Sequence, residues 1–317
     1  MYAVEIVGLT KDYLQGFWRQ RPRRALDALT LAVERGEIFG LLGPNGAGKT
    51  TTLKLLLRLL YPTAGMARIL GQPFDDLRVH RQIGFLPEAP YFYDYLSGWE
   101  FLDYCAQLFG LSRDERRHQV GELVERVGLR GAEHIALRKY SRGMLQRVGL
   151  AQALINDPEV MFLDEPVLGL DPVGRREFRD LILDLRERGK TIFLSTHILP
   201  DVEMLCDRVA ILNQGRLHGL GTLDEILAIQ VEATEVLLAQ VSAALLGELR
   251  RLGGQVGFTG NKVSIRVRDE TALDAVLDLQ RRHRARLVSV TPLRRSLEDY
   301  FFEQFGTERL PDLAERG

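Results

Sequence analysis

Short, nearly unbroken apolar runs recur along the first two-thirds of the chain. Glu37–Leu42, Val160–Leu163, Thr191–Ser195 and Val209–Leu212 have the pattern of strands buried on both faces. Between them the spacing of apolar positions lengthens to that of helices. Thr51–Leu60, Gly98–Phe109, Arg113–Val127, Arg142–Ile155 and Arg175–Arg188 carry it, and Asp157-Pro158 stops the fourth. Residues 83–86 form another short apolar run, ending at Pro87-Glu88. Residues 2–9 and 25–33 alternate as strands that lead in from the N-terminus. Tyr61-Pro62-Thr63-Ala64-Gly65 breaks the pattern. Strands alternating with helices predict an α/β domain with a largely parallel sheet.

The pattern changes near residue 221. From there it predicts a strand at 234–240, a helix at 242–252, strands at 255–259 and 262–268, a helix at 271–283 and a strand at 286–290. The order β-α-β-β-α-β is the split, ferredoxin-like arrangement, and a short helix over 296–305 follows. The expected division is therefore a large domain over 1–225, with a helical subdomain at about 89–157, and a small α+β domain over 226–317. The second carries no chemical constellation and reads as an accessory, regulatory or interaction module.

Composition narrows the class. The chain has 317 residues, 45% hydrophobic and 27% charged, with a formal net charge of −1. That suits a globular protein with a sizeable core. It argues against bulk nucleic-acid binding, which goes with a basic excess. Two cysteines, Cys105 and Cys206, give no disulfide framework and fit a reducing cytosol. The histidines lack metal-ligand spacing. No apolar run approaches the ~18 residues of a membrane span, and Glu5 and Lys11 interrupt the N-terminal region where a signal peptide would be apolar. The basic, aromatic stretch Gln15–Arg24 reads either as a solvated hairpin tip or as a contact for anionic lipid or a partner.

One stretch carries specific chemistry. Gly43-Pro44-Asn45-Gly46-Ala47-Gly48-Lys49-Thr50 fits the phosphate-cradle pattern G-x-x-x-x-G-K-[S/T], with a predicted strand before it and a helix after it. The glycines let backbone N–H groups approach an anion, and the helix N-terminus adds partial positive charge. Lys49 can reach the β- and γ-phosphates, and the Thr50 hydroxyl can hold Mg²⁺. Further along, a buried strand ends in Asp164-Glu165. Asp164 can hold Mg²⁺ against phosphate, and Glu165 can orient and polarise an attacking water. Ser141 is a good N-cap before a strong helix. Asp171 follows the acid pair, and His197 stands at the carboxyl end of a buried strand, where α/β sheets bind ligands.

In order and spacing, these motifs over residues 2 to 225 resemble the ATP-binding cassette (ABC) ATPases. The resemblance implies a P-loop NTPase fold with ATP and Mg²⁺ as ligands. It implies that Tyr13 stacks on adenine and that Gly43 to Thr51, Thr51 included, is the Walker A loop. Ser141 and Gly143 take the signature-loop positions. Asp164 is similar to the Walker B aspartate, Glu165 to the catalytic glutamate, Asp171 to the D-loop aspartate and His197 to the switch histidine. Two positions depart from the family pattern. The signature L-S-G-G-Q stands here as Tyr140-Ser141-Arg142-Gly143-Met144, and Glu88 replaces a glutamine as a further Mg²⁺ ligand. Both departures resemble an exporter branch with a C-terminal extension, to whose tail motif Ser296–Phe301 is similar.

The resemblance further implies a head-to-tail dimer, homodimeric or heterodimeric, with each ATP between the cradle of one chain and Ser141 of the other. It implies a separate membrane permease, no nucleic acid, and a peripheral position on the cytoplasmic face of the membrane. The aromatics Phe85, Tyr91, Phe92, Tyr93, Tyr95 and Trp99 read equally as a permease-docking surface or as subdomain core. A transporter ATPase is the leading reading. A soluble non-transport ABC ATPase and a weakly hydrolysing nucleotide sensor are the alternatives.

Overall fold

The computed structural model of the chain describes residues 1–15, 21–227, 231–252, 255–260, 262–294 and 297. It divides into two compact units, Met1–Ile226 and Leu227–Gly317.

In the first unit, β1 (Tyr2–Gln15) and β2 (Arg21–Glu34) form a long antiparallel hairpin. β3 (Ile38–Leu42) follows, every residue of it buried, and then α1 (Lys49–Leu56). β4 (Ala64–Ile69) and β5 (Gln72–Pro73) extend the hairpin into a sheet of order β2-β1-β4-β5. β6 (Ile83–Leu86) precedes three helices, α2 (Gly98–Leu108), α3 (Arg113–Arg126) and α4 (Arg142–Ala153). Then come β7 (Val160–Asp164), α5 (Pro172–Glu187), β8 (Thr191–Thr196), α6 (Leu199–Leu205), β9 (Arg208–Asn213), β10 (Arg216–Gly221) and α7 (Leu223–Ile226). The six-stranded sheet has the order β10-β9-β3-β8-β7-β6. It is parallel except for β10, as unbroken apolar strands alternating with helices require.

Local chemistry sets the helix starts. Ser97 with Glu100, and Ser112 with Glu115, form reciprocal capping boxes at α2 and α3, each satisfying two otherwise orphaned backbone donors. Ser141 caps α4, and Asp171 caps α5 ahead of Pro172 at its first turn. Phe101, Leu102, Val120, Leu123, Val124 and Val148 pack the three-helix part onto a core that continues to Leu163 and Leu194 of the sheet.

The hairpin is longer than its alternation predicts. Arg21–Arg24 lie in β2, with Tyr13 opposite Arg23 and Asp12 opposite Arg24. The register shifts between Ile6 and Leu9 and again before Lys11. Gly8, at φ +60°, and Ala28, at φ +50°, adopt left-handed backbone there. Such bulges break the period of two, and they hide the continuing strand. Arg24 then holds Asp12 and Asp27 at 2.9 and 2.8 Å. The remainder of the basic stretch, residues 16–20, lies outside the described residues, as does the tail motif apart from Leu297.

The second unit runs β11 (Val231–Ala239), α8 (Ala243–Arg251), β12 (Gln255–Thr259), β13 (Lys262–Val267), α9 (Glu270–Arg282) and β14 (Arg286–Arg294). Its antiparallel sheet has the order β12-β13-β11-β14, the split β-α-β-β-α-β arrangement. Val236, Leu238, Ile265 and Val267 of the sheet pack with Leu245, Leu249, Val276 and Leu279 of the helices.

Candidate functional site

Parallel register assembles the site. Leu42 of β3 pairs with Thr196 of β8, and Asp164 of β7 pairs with Ser195. The three strands therefore end at one level, and the residues that follow them, Gly43, Glu165 and His197, emerge together at the carboxyl edge of the sheet. That edge is where open α/β sheets bind ligands.

The loop from Gly43 to Gly48 wraps this edge and opens α1. Gly46 and Gly48 have φ of +82° and +110°, backbone that residues with a Cβ adopt at a cost. Gly43 has a different constraint: a Cβ there would lie 2.2 Å from the Leu212 carbonyl. Pro44 to Gly48 of the loop, but not Gly43, line a cavity of about 290 Å³ together with Lys49, Thr50, Thr51, Glu88, Glu165, Leu168 and His197.

Charge in the cavity is closely organised. Lys49 Nζ donates to Gly43 O at 2.7 Å and lies 3.3 Å from Glu165 Oε1. The same oxygen lies 2.8 Å from His197 Nδ1. Glu165 Oε2 is buried and has no hydrogen-bond partner among the described residues. Burial alone would raise the Glu165 carboxyl, but the His197 hydrogen bond and the Lys49 charge outweigh it and hold the group below its ordinary value. Glu165 is thus an anion at neutral pH, with one oxygen anchored and the other unpartnered. It also sits at φ +47°, a strained backbone for a non-glycine residue, of the kind that clusters at functional sites. Beside it, Thr50 Oγ1 lies 3.3 Å from Asp164 Oδ1, and the Ser195 hydroxyl donates to that same carboxylate oxygen.

Of the expected residues, the structure brings Pro44 to Thr51, Glu88, Glu165 and His197 to this one cavity, with Asp164 behind Thr50. Tyr13 stands beside it, its hydroxyl 3.5 Å from Thr51 Oγ1 and its ring under Lys11 Nζ. Ser141, Gly143 and Asp171 do not join them. They line a separate cavity of about 390 Å³ with Arg142, Gly169 and Gly174. There Ser141 Oγ accepts from Met144 N at 3.3 Å, and Asp171 Oδ1 accepts from Gly174 N at 2.6 Å. The Arg142 guanidinium covers Gly169 so closely that a Cβ on that glycine would lie 2.3 Å from Cζ.

Sequence reasoning did not assign roles to Ser195, which fixes Asp164, or to Gln146. The buried Gln146 amide donates to Pro166 O at 2.9 Å, tying α4 to the segment that carries Glu165. A lone glutamine on an otherwise apolar helix face was its only signal. The aromatic residues near 85–110 divide in two. Phe92 packs edge-on to Phe101 at 5.1 Å, and Trp99 packs against the same core. Tyr91, Tyr93, Tyr95 and Tyr104 are exposed.

Comparison with known proteins identifies the family. Residues 26–168 match the family described as ABC transporter. The chain is 46% identical over 305 residues to an uncharacterized ABC transporter ATP-binding protein of Synechocystis sp., spanning 95% of this chain and 84% of that protein. It is 37% identical over 314 residues to a fluoroquinolones export ATP-binding protein of Mycobacterium tuberculosis, spanning 96% of this chain and 94% of that one. A solved ATP-binding cassette, captured as a dimer in a post-hydrolysis state with ADP and Pi, aligns with a TM-score of 0.64 at 27% identity. The alignment covers 69% of this chain and 98% of that one.

Proposed function

Starting from the premise that this chain belongs to the ABC transporter ATP-binding proteins, we propose that it binds ATP with Mg²⁺ at Gly43–Thr51 and hydrolyses it to drive a permease carried on a separate chain. The observation that carries the reading is the convergence of Lys49, Thr50, Glu165 and His197 on one glycine-lined cavity. Backbone N–H groups of the loop and the Lys49 ammonium neutralise phosphate charge. Lys49 exchanges its bond to Gly43 O for phosphate oxygen. Thr50 and Asp164 would hold Mg²⁺, which offsets the charge on the phosphates; the hydroxyl and carboxylate already face each other. Among the described residues no three His, Cys, Asp or Glu side chains form a metal cluster. Mg²⁺ binding of this kind draws its other ligands from water and phosphate. Glu88 at the cavity rim adds a further oxygen.

Glu165 acts as the base. Its anchored oxygen fixes the carboxylate, and the unpartnered Oε2 accepts from the attacking water. His197 holds Glu165 in place and faces the cavity, where it senses the terminal phosphate. Tyr13 stacks on the adenine.

Ser141, Gly143 and Asp171 act on the nucleotide of a second copy, which accounts for their place in a separate cavity. The dimeric state of the related cassette supports this. ATP then joins two subunits, and hydrolysis releases them, a ligand-biased two-state cycle. Likeness to a fluoroquinolones export protein supports export as the direction. The exposed tyrosines, with Tyr93 6.1 Å from Tyr95 and 6.0 Å from Tyr104, suit the permease contact. Among the described residues no helix is long and apolar enough to cross a membrane. A peripheral place on the cytoplasmic face, held by the permease, agrees with that. The test is turnover by the purified full chain with MgATP: Lys49→Ala should abolish it, and unchanged turnover in that variant would overturn the site.

A further inference from the structure

One charged pair, with Asp201 buried and Arg179 partly so, lies outside the chemistry above. Asp201 on α6 is 3% exposed, and its Oδ1 lies 3.5 Å from Arg179 Nη1 on α5. The pair is poorly satisfied. Asp201 Oδ2 and Arg179 Nε are both buried without a hydrogen-bond partner among the described residues. The same Arg179 Nη1 donates to Met204 Sδ at 2.7 Å. Arg175 and Glu165 are the other charges that act on Asp201. Burial lifts its carboxyl above the ordinary value, with the two arginines working against that shift. A buried ion pair with unfilled hydrogen bonds is a weak source of stability, and apolar residues of similar volume commonly serve as well or better.

What the pair does is fix position. α5 begins at Asp171, which caps it through Gly174 N, and Arg175 Nε donates to Leu170 O at 3.2 Å. The first turn of α5 is therefore fastened to the 168–171 loop. One turn past Arg175, Arg179 meets Asp201. α6 begins two residues after His197, whose Nδ1 holds Glu165. We infer that the Arg179–Asp201 pair is a positioning device that ties α5 to α6, so that the 168–171 loop and the His197–Glu165 contact share one geometry. A rearrangement of the loop when a second copy docks then reaches His197 through α5 and a single ion pair. Neither residue lines the phosphate cavity.

This inference rests on the ATPase reading, and its test separates the two. The full chain is compared with Arg179→Met/Asp201→Leu, which replaces the pair by apolar side chains, with Asp201→Asn, which keeps shape and removes charge, and with Arg179→Lys. Thermal unfolding, affinity for a fluorescent ATP analogue, and kcat are measured for each. The double variant should unfold at or above the wild-type temperature and bind the analogue as the wild type does. Its kcat should fall by about tenfold or more, as misplacement of a catalytic group by about an ångström does. Asp201→Asn should lose kcat likewise, and Arg179→Lys should retain most of it. Wild-type kcat in the double variant or in Asp201→Asn would show the pair to be structural only and overturn the inference. A wild-type chain that turns over no ATP would instead overturn the ATPase reading, and the inference with it.

Discussion

His197 Nδ1 lies 2.8 Å from Glu165 Oε1, so the histidine occupies one carboxylate oxygen and leaves the buried Oε2 without a hydrogen-bond partner among the described residues. The two residues have separable roles. Glu165→Gln keeps the shape but removes the proton acceptor. Turnover should fall by about 10²- to 10⁴-fold, the usual contribution of a general base, while nucleotide affinity is retained. His197→Ala should lower turnover and also loosen Glu165. Single-turnover hydrolysis beside equilibrium binding checks both, and full hydrolysis by Glu165→Gln would remove Glu165 from the base role.

The two thiols should be inert in the folded chain. Burial pushes Cys105 up to about 11, and desolvation also raises the half-buried Cys206. The thiolate is the reactive form, and an unperturbed thiol titrates near 8.5. At pH 8 native Cys105 is therefore thiolate in only about one molecule in a thousand, against roughly one in four when unfolded. Ellman's reagent should label neither thiol quickly in the native chain and both in guanidinium. Linkage gives a second consequence. Between about 8.5 and 11 the folded state binds the proton that the unfolded state has lost, so stability should fall as pH rises through that window. Rapid native labelling at pH 8 would contradict the burial.

Much of this architecture is legible locally. The strand, glycine loop and helix at 38–56, the Ser97–Glu100 and Ser112–Glu115 capping boxes and the Asp171-Pro172 start of α5 are all short-range signals. What was not legible depends on register between distant segments. Ser195 reaches Asp164 only because β7 and β8 pair in parallel at that level. Gln146 finds Pro166, and Arg179 finds Asp201, across elements that sequence spacing does not relate. The β1–β2 hairpin outran its alternation because bulges reset its phase. Division of the motif residues between two cavities is anticipated only through the family resemblance, which sets Ser141 of one chain against the cradle of another; the local pattern carries no signal for it.

Two glycines of the same unit should respond to alanine in opposite directions. Gly84, in β6, faces the end of α4, and a Cβ there would lie 2.1 Å from the Ala153 carbonyl. Backbone cannot yield cheaply, so Gly84→Ala should destabilise by about 1–3 kcal/mol. Gly121, inside α3, has only the edge of Trp99 at 3.9 Å from its would-be Cβ. Gly121→Ala should stabilise by up to about 1 kcal/mol, the helix propensity difference. Urea unfolding of both variants checks the pair, and a stable Gly84→Ala would mean that β6 and α4 are not packed this way.

Separation of Ser141 from the phosphate cavity makes a prediction about mixed assemblies. If the nucleotide is completed by a second copy, each site needs an intact Lys49 from one chain and an intact Ser141 from the other. Lys49→Ala alone fails at the cradle. Ser141→Arg alone fails because the enlarged, charged side chain fills the facing surface while leaving its own cradle intact. In a mixed pair one site combines both defects and the other combines neither. Random pairing of equal amounts puts half the dimers in the mixed state with one good site each, so activity should return to about a quarter of wild type for a two-fold symmetric assembly. A chain that hydrolyses within a single copy gives no recovery on mixing, because no exchange of parts can repair either defect. The measurement is ATP turnover of the mixture after co-incubation, against each variant alone. Recovery would assign Ser141 to the partner's nucleotide, no recovery with dimers present by sedimentation would overturn that assignment, and full turnover by Ser141→Arg alone would place the second cavity outside the reaction.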